Sequence, residues 1–240
     1  MSTLNDKIAL VTGGTRGIGF AIARALLMRG ARVFICGMTE PGVDKAVAAL
    51  RGPQDYAPRG MVCDVRKHEQ VCGLLHETEQ SFGGLDILIN NAGVGLFRNV
   101  QDLTPEEWRT MIETNLSGVF YCCREAIPLM KRRGGGYIIN IGSLAGKNAF
   151  PGGAAYNATK FGLIGFSEAL MQEVRYDHIR VTCVMPGSVD TKFGDTDGKE
   201  SHSSWKLQPD DVATQVINLL EMDPRALASR IELRPSEPRK

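Results

Sequence analysis

The chain has 240 residues, of which 43% are hydrophobic and 23% are charged, and its formal net charge at pH 7 is +1. This length suits one large α/β domain over residues 1–240, and the balanced charge argues against a surface built for nucleic acid or an anionic membrane. The sequence has neither a long apolar run nor a basic and apolar leader, so we expect a cytoplasmic protein that acts on a small molecule.

The cysteines and histidines of the sequence show no spacing that is typical of a metal site. The six cysteines include no Cys-x-x-Cys pair, and several lie in apolar runs where a thiol behaves as a small hydrophobic group. The histidines, at positions 68, 76, 178 and 202, form no ligand pattern. We therefore predict a reducing compartment, no resident metal, and histidines that lie at the surface.

A glycine-rich turn follows the first predicted strand, residues 7–11, and precedes the helical periodicity of residues 20–28. Glycines at this place permit a tight turn and a close approach of the backbone to a pyrophosphate, and the helix N-terminus offers N–H groups to phosphate oxygens. The alternative is a turn without a ligand. We predict a dinucleotide site that includes Gly13, Thr15, Arg16, Gly17, Ile18 and Gly19.

The second predicted strand, residues 32–36, ends where the adenosine ribose of a dinucleotide is expected. The residues that follow, Gly37, Met38 and Thr39, include no carboxylate that would bind a ribose 2′-hydroxyl and repel a 2′-phosphate. Arg16 could instead bind a 2′-phosphate through charge-assisted hydrogen bonds, although a solvated loop arginine is the alternative. We predict NADP as the cofactor and regard NAD as the less favoured one.

Strands and helices alternate through the rest of the chain. We predict helices over residues 43–50, 67–82, 105–132, 156–176 and 208–221, strands over residues 61–65, 85–93, 137–143, 179–185 and 230–233, and a connection around Gly52, Pro53 and Pro58. This alternation is typical of a Rossmann-like, doubly wound parallel sheet of about seven strands with helices on both faces.

Three polar residues lie near the predicted strand ends or within the long helix. Asp64 ends the third strand, where it could accept a hydrogen bond from an adenine amino group or cap the next helix. Ser143 emerges at the carboxyl end of the fifth strand, where open α/β sheets bind ligands. Asn115 lies inside the predicted helix 105–132, and an asparagine at such a place ordinarily faces water.

Tyr156 and Lys160 are four residues apart on a segment with helical apolar spacing, so their side chains project from one helix face. A tyrosine with a pKa near ~10 exchanges protons poorly at neutral pH, but a neighbouring cation favours the phenolate and lowers that pKa. The pair therefore predicts proton transfer to or from a carbonyl or alcohol oxygen. An ordinary exposed helix face is the alternative.

The one long polar loop of the sequence, residues 188–207, is a candidate substrate lid. Its lysines, at 192, 199 and 206, nearly balance its acids, at 190, 195, 197 and 200, so nothing indicates a strongly charged substrate. Together with residues 94–99 and 144–153 it is expected to line the substrate pocket. The side chains predict an apolar cavity: Leu96, Phe97, Leu144, Phe150, Phe193 and Trp205.

Together these residues resemble the compact branch of the short-chain dehydrogenase/reductase family over essentially the whole chain. The motifs are the loop 12–19, Asp64-Val65, Asn90-Asn91-Ala92-Gly93, Asn115, Ser143, Tyr156 with Lys160, and Pro186-Gly187 followed by Thr191.

The resemblance implies that Tyr156 is the general acid or base for a ketone or alcohol while NADP(H) carries the hydride, and that Lys160 lowers the pKa of Tyr156 and holds the nicotinamide ribose. It implies that Ser143 binds the substrate oxygen and Asn115 seats a relay water. It implies further cofactor contacts from Asp64, Val65, Asn91, Ala92, Gly93, Pro186, Gly187, Val189 and Thr191.

Two departures from the family keep alternatives open. Many NADP-using relatives have an arginine where this chain has Met38, and the C-terminal segment lacks the glycine-rich strand of many ketoacyl reductases. A ketoacyl-thioester reductase remains an alternative, because Lys131, Arg132, Arg133 and Arg175 could bind an acidic carrier. An NAD-linked dehydrogenase and a non-catalytic NAD(P)-binding regulatory protein are the others. By analogy the two long helices imply a homodimer or homotetramer.

Overall fold

The computed structural model describes residues 4–51, 57–191, 193–194 and 204–238. The strands are β1 (Ile8–Val11), β2 (Arg32–Gly37), β3 (Arg59–Val62), β4 (Ile87–Asn90), β5 (Gly136–Ile141), β6 (Ile179–Pro186) and β7 (Arg230–Leu233). The α-helices are α1 (Gly17–Met28), α2 (Glu40–Ala49), α3 (His68–Phe82), α4 (Pro105–Ile112), α5 (Gly118–Arg132), α6 (Ala154–Val174) and α7 (Pro209–Glu221). The predicted connection at Gly52 and Pro53, and the centre of the predicted lid, lie outside the described residues.

The strands form one parallel sheet in the order β3-β2-β1-β4-β5-β6-β7. The chain therefore builds the sheet outward from β1 in one direction and then returns to add β4 on the other side. Where the direction reverses, the connections from β1 and β4 leave toward opposite faces and open a crevice at their carboxyl ends. The candidate site residues follow these strand ends.

Helices cover both faces of the sheet, because alternate residues of the strands contribute to two apolar layers. In β1, Ala9 and Val11 pack with α1, α2 and α7, while Ile8 and Leu10 pack with α3, α5 and α6. The strands are apolar on both sides, as expected for a buried parallel sheet. The predicted fold class is confirmed.

The predicted helix 105–132 is wrong as a single helix. Helix α4 ends at Ile112, a π-helical segment spans Glu113–Ser117, and α5 begins at Gly118. The π-helical turn brings Asn115 inward, where it is 1% exposed, so the expectation that a mid-helix asparagine faces water is also wrong. Gly118 lets the new helix approach the chain after β3, since a Cβ atom there would lie 2.9 Å from Cγ2 of Val65.

Several element boundaries differ from the predicted ones. Helix α1 begins at Gly17, inside the glycine turn, and α2 begins at Glu40 with Thr39 as its N-cap. The third strand ends at Val62, earlier than predicted, because its pairing with β2 stops where Gly37 ends that strand. Within the described residues, no helix has the length and apolar character needed to cross a membrane.

Candidate active site

Hydrogen bonds from Thr12 and Asn91 fix the glycine-rich loop after β1 to the end of β4. The Thr12 Oγ1 atom accepts from the backbone N–H groups of Asn91, at 3.0 Å, and Ala92, at 3.1 Å. The Asn91 amide donates to the carbonyl oxygens of Thr12, at 2.9 Å, and Gly13, at 3.0 Å. The side chain of Asn91, a predicted cofactor residue, therefore serves the loop itself. Thr12 belongs to the predicted loop motif 12–19, but the sequence analysis assigned it no role of its own.

Glycines in this loop allow contacts that a side chain would block. Gly13 has φ +62° and Gly17 has φ +55°, both in the left-handed region. A Cβ atom at Gly19 would lie 2.3 Å from the carbonyl oxygen of Gly13 and 2.4 Å from Nδ2 of Asn91. Helix α1 therefore begins directly against the loop, and the N–H groups of its first turn, which have no carbonyl partner within the helix, face the crevice end of β1.

The expected adenosine end of the crevice has a basic residue and no acid before helix α2. Arg16 is the N-cap of α1, and its exposed side chain forms no hydrogen bond or ion pair with any of the described residues. Met38 is 59% exposed at the end of β2. Thr15 packs on Gly37, where a Cβ atom would lie 2.4 Å from Cγ2 of Thr15.

The Asp64 carboxylate pairs with Arg66 and does not cap helix α3. It accepts two bonds from Nε and one from Nη2 of Arg66, at 2.7–3.0 Å, and one from the Arg66 backbone N–H. The Arg66 hydrogen bonds hold the pKa of Asp64 below its ordinary value. Lys67 is the N-cap of α3, so the capping alternative is wrong. The adenine contact stays a prediction.

Asn115 joins the segment after β4 to helix α6. Its Oδ1 accepts from the Val94 backbone N–H at 2.8 Å, and its Nδ2 donates to the Val94 carbonyl at 2.8 Å and to Thr159 Oγ1 at 3.2 Å. Thr159 in turn donates to the carbonyl of Tyr156 at 2.7 Å. Asn115 is thus a positioning residue in this geometry, and Thr159, which the sequence analysis did not select, connects it to Tyr156.

The predicted catalytic side chains meet beside the carboxyl end of β5. Ser143 lies two residues after the strand, where its Oγ accepts from the Ala145 backbone N–H at 3.1 Å, and its hydroxyl acts to lower the pKa of the Tyr156 phenol. Lys160 lies one helical turn further along α6, with Nζ 5.7 Å from the Tyr156 ring centroid. The ammonium group donates to the Ile141 carbonyl at 2.9 Å. Tyr156 is 8% exposed and Lys160 is 6% exposed.

Burial controls the proton affinities of both groups. Burial raises the pKa of the Tyr156 phenol above its ordinary value, and the Ser143 hydroxyl opposes this shift. Burial lowers the pKa of Lys160 to about 8. The expectation that the pKa of Tyr156 lies below its ordinary value is therefore wrong, whereas the stabilisation of the phenolate by Lys160 stays a prediction. Its ammonium group is engaged by a backbone carbonyl, and removal from water dominates both shifts.

Asn157 also holds this region together, although the sequence analysis gave it no role. Its Nδ2 donates to the Ala145 carbonyl at 2.6 Å and to the Asn148 carbonyl at 3.3 Å, and its Oδ1 accepts from the Phe150 N–H at 3.3 Å. The side chain is 5% exposed. A buried amide in the first turn of α6 thus fixes the segment between Ser143 and Tyr156.

The residues after β6 reach back to the glycine loop. Gly187 donates its N–H to the Leu233 carbonyl at 2.8 Å, and Val189 forms a parallel bridge with Leu207. Thr191 lies against Gly17, where a Cβ atom would be 3.3 Å from Cγ2 of Thr191. The bridge closes the base of the predicted lid, of which residue 192 and residues 195–203 lie outside the described part.

Only some of the predicted pocket side chains lie near Tyr156. Phe97 and Phe193 contact the Tyr156 ring and Phe150 contacts Phe97, while Leu96 packs against the apolar cluster that contains Tyr156. Leu144 packs instead in a separate cluster with Ile164, Cys183 and Met185. Trp205 lies beside Lys206, whose ammonium is 5.9 Å from the indole centroid.

One histidine is not simply a surface residue. His68 Nε2 lies 2.9 Å from a Glu125 carboxylate oxygen and 3.5 Å from the Cys72 thiol, in part-buried surroundings between α3 and α5. The spacing of His68 and Cys72 gives no indication of Glu125, which the fold brings from another helix. The prediction that the protein holds no resident metal stays a prediction.

The family follows from comparison with known proteins. A family model described as short chain dehydrogenase matches residues 7–201. The chain belongs to the short-chain dehydrogenase/reductase family. An uncharacterized oxidoreductase of Staphylococcus aureus (strain MRSA252) is 35% identical to this short-chain dehydrogenase over 239 residues, which cover 98% of this chain and 100% of that protein.

Two solved structures are similar to this short-chain dehydrogenase over its length. An alcohol dehydrogenase from Thermococcus sibiricus, complexed with 5-hydroxy-NADP, superimposes with a TM-score of 0.88 at 30% identity, covering 98% of each chain. An actinorhodin polyketide ketoreductase variant with NADPH superimposes with a TM-score of 0.88 at 32% identity, again covering 98% of each chain. The family membership and the nicotinamide chemistry of these neighbours make this chain an oxidoreductase.

Proposed function

We propose that the protein is an NADP(H)-dependent oxidoreductase that interconverts a ketone or aldehyde and an alcohol, with Tyr156 as the general acid or base. The observation that carries the proposal is the buried Tyr156 phenol, which shares the carboxyl edge of the sheet with the Ser143 hydroxyl and has Lys160 one helical turn away. A carbonyl oxygen placed between the Ser143 and Tyr156 hydroxyls would face two hydroxyl donors at once.

The glycine loop fits a dinucleotide. Positive φ angles at Gly13 and Gly17, and the absence of a Cβ atom at Gly19, leave the backbone open where helix α1 begins. Phosphate oxygens are suited to such a helix N-terminus. NADPH, when bound, would supply the hydride, and Gly93 and Thr191 would border it from the other side of the crevice. Lys160, by the family resemblance, would hold the nicotinamide ribose.

Proton transfer follows from the protonation states of the buried groups. Because burial raises its pKa, Tyr156 keeps its proton at neutral pH and can donate it to a carbonyl oxygen that becomes an alcohol. Lys160, with a pKa of about 8, is mostly cationic at pH 7. Its charge stabilises the phenolate that remains, and Ser143 stabilises the substrate oxygen. In the reverse direction the same phenolate is the base.

The preference for NADP is supported by the charges at the end of β2. Arg16 is exposed and has no partner among the described side chains, whereas the first acid after β2, Glu40, belongs to the first turn of α2. The solved neighbours carry 5-hydroxy-NADP and NADPH. An arginine at this position would gain more from a charged 2′-phosphate than from a neutral 2′-hydroxyl, because charge-assisted hydrogen bonds are the stronger ones.

The experiment is a steady-state comparison of NADPH and NADH in the wild type and in Arg16→Ala. We expect the KM for NADPH to rise about 10- to 100-fold, which corresponds to the loss of one or two charge-assisted hydrogen bonds, and the KM for NADH to change less than about threefold. Arg24→Ala is the matched control, because Arg24 lies on the same helix and pairs with Asp210. Equal losses for both cofactors would contradict the proposed role of Arg16.

A ketoacyl-thioester reductase is the second candidate, favoured by the similarity to a polyketide ketoreductase. The basic residues that could bind an acidic carrier give it little further support. Lys131 pairs with Asp177, Arg132 with Glu79, and Arg133 with Asp86, at 2.7–3.0 Å. Including an acetoacetyl thioester among the test substrates distinguishes the two candidates. Cofactor binding without turnover of any carbonyl would favour the regulatory alternative.

The remaining proposals concern the cellular location, the oligomeric state and the domain organisation of the enzyme. The six cysteines are unpaired, which supports a reducing, cytoplasmic location. Large apolar side chains on α4, α5 and α6 are more than two-fifths exposed, namely Trp108, Phe120 and Phe161, which supports a homodimer or homotetramer through these helices. The chain is proposed to act as one catalytic domain in which residues 188–207 cover the substrate.

A further inference from the structure

Three phenylalanines from three different loops form an apolar group beside Tyr156, in which Phe97 and Phe193 contact the Tyr156 ring and Phe150 contacts Phe97. Phe97 follows β4, Phe150 precedes α6, and Phe193 follows β6, so the fold brings them together only at the carboxyl edge of the sheet. The ring centroids of Phe97 and Phe193 lie 5.5 Å and 5.8 Å from that of Tyr156, and Phe150 lies 5.8 Å from Phe97. We call Phe97, Phe150 and Phe193 the aromatic enclosure.

Glycines fix the positions of these rings. A Cβ atom at Gly95 would lie 2.6 Å from Cε1 of Phe193 and 3.1 Å from Cζ of Phe97, so both rings pack on bare backbone. A Cβ atom at Gly153 would lie 2.5 Å from Cε2 of Phe150. The rings therefore occupy places that the backbone leaves open for them, and the enclosure is a built surface.

The enclosure is apolar and remains partly open. Phe97 is 45% exposed, Phe150 is 41% exposed and Phe193 is 38% exposed, although phenylalanine side chains are ordinarily buried. Exposed apolar surface of this kind, converging on a reactive group, marks a place where a ligand completes the packing. The rings stand tilted or perpendicular to their neighbours, at 53–82°, which leaves ring faces and edges for contact with another flat ring.

We infer that the aromatic enclosure selects ketones whose carbonyl is attached to a flat aromatic ring, and aromatic secondary alcohols in the reverse direction. This inference rests on the proposed function, because Tyr156 must be the proton donor for the rings around it to contact the substrate. A planar aromatic ring makes offset or edge contacts with phenylalanine rings, and each such contact is worth about two- to tenfold in binding beyond the area that it buries. A saturated ring of the same size buries similar area without them.

The test compares phenyl methyl ketone with cyclohexyl methyl ketone, which differ in the flatness and aromaticity of one ring. The intrinsic reactivity of the two carbonyls differs, so the quantity to measure is the ratio of their kcat/KM values in each protein. In Phe97→Leu and Phe193→Leu we expect this ratio to fall about fivefold to tenfold from its wild-type value. Leucine keeps an apolar side chain and removes the ring. Melting curves establish that both variants are folded.

Tyr176→Leu is the matched control, because it removes an aromatic ring that is 88% exposed at the far end of α6. Its ratio should equal that of the wild type. Unchanged ratios in Phe97→Leu and Phe193→Leu would overturn the inference. The inference would also be overturned if the wild type reduced an acetoacetyl thioester or an aliphatic ketone but neither test ketone. In that case the proposed function would still stand. If no carbonyl compound is turned over at all, the proposed function fails and the inference fails with it.

Discussion

The crevice at the carboxyl edge of the sheet has two halves that are built in different ways. In the nucleotide half, backbone atoms form the surface, and Thr12, Asn91 and close-packed glycines hold them in place. In the substrate half, phenylalanine side chains on three separate loops form the surface. The nucleotide half therefore tolerates few changes, whereas the substrate half can change its selectivity through single side chains without altering the fold.

The largest effect is expected from Gly19→Ala, which places a methyl group in the nucleotide half. The new Cβ atom would meet the Gly13 carbonyl oxygen at 2.3 Å, so helix α1 and the loop must separate. We expect the free energy of unfolding to fall by about 3 kcal/mol in urea titrations, and NADPH affinity to fall at least ~100-fold.

Gly73→Ala is the control for this substitution, because Gly73 lies in α3 and a Cβ atom there meets nothing within 4 Å. It should stabilise the protein by up to about 1 kcal/mol through helix propensity. If Gly19→Ala and Gly73→Ala behaved alike, close packing would not be what distinguishes the nucleotide half.

The next effect concerns Lys160, which lies between the two halves. Its pKa is about 8 in the folded protein, below its ordinary value, so between pH 8 and about 10.5 the unfolded chain binds more protons. The free energy of unfolding of the wild type should therefore rise with pH in this window relative to Lys160→Met, by up to about 3 kcal/mol. Below pH 8 the difference should be constant.

Cys183 lies close enough to Lys160 for the charge of the ammonium to lower the pKa of the thiol, although burial dominates and keeps that pKa at about 11. Urea titrations at each pH should therefore compare the two proteins in a Cys183→Ala background. Burial raises the pKa of the nearby Tyr156 phenol above its ordinary value in the wild type. A difference that does not change between pH 8 and 10.5 would contradict the assigned burial of the ammonium group.

A smaller effect is expected from Thr12→Val, which keeps the shape of the side chain. The substitution leaves the N–H groups of Asn91 and Ala92 without their acceptor at a buried strand end. We expect a loss of about 2 kcal/mol in unfolding free energy, while Thr12→Ser, which retains the hydroxyl, should lose less than half of this. Equal losses would show that the methyl group, and not the hydroxyl, secures the loop.

These two halves also differ in how far the sequence predicts them. Alternation of strands and helices, and the strand-glycine-helix order around Gly13, predict the fold and the position of the nucleotide half because both depend on local patterns. The π-helical turn at Asn115 could not be predicted, because it depends on contacts with residues distant in the chain. The pairing of Asp64 with Arg66 could not be predicted either, because it competes with the capping of helix α3. The pKa of Tyr156 was predicted in the wrong direction, since spacing alone does not reveal burial.

The substrate half is the least predictable from sequence. Apolar residues such as Phe97 and Phe193 are far apart in the chain, and only the folded loops bring their rings to Tyr156. Because these residues are apolar, the sequence predicts an apolar cavity, but the shape of that cavity follows only from the structure. Gly95 illustrates the reason, because its role as a floor for two phenyl rings follows from neighbours that no sequence window contains.

The central claim is that the Tyr156 phenol transfers the proton. The most direct measurement is turnover by Tyr156→Phe beside the wild type on a ketone that the wild type reduces, with NADPH affinity measured in parallel. Loss of the hydroxyl alone should lower kcat about 10²- to 10⁴-fold and change the Kd for NADPH less than about threefold, because the ring and its packing remain. A Tyr156→Phe variant that retains wild-type turnover would contradict the claim.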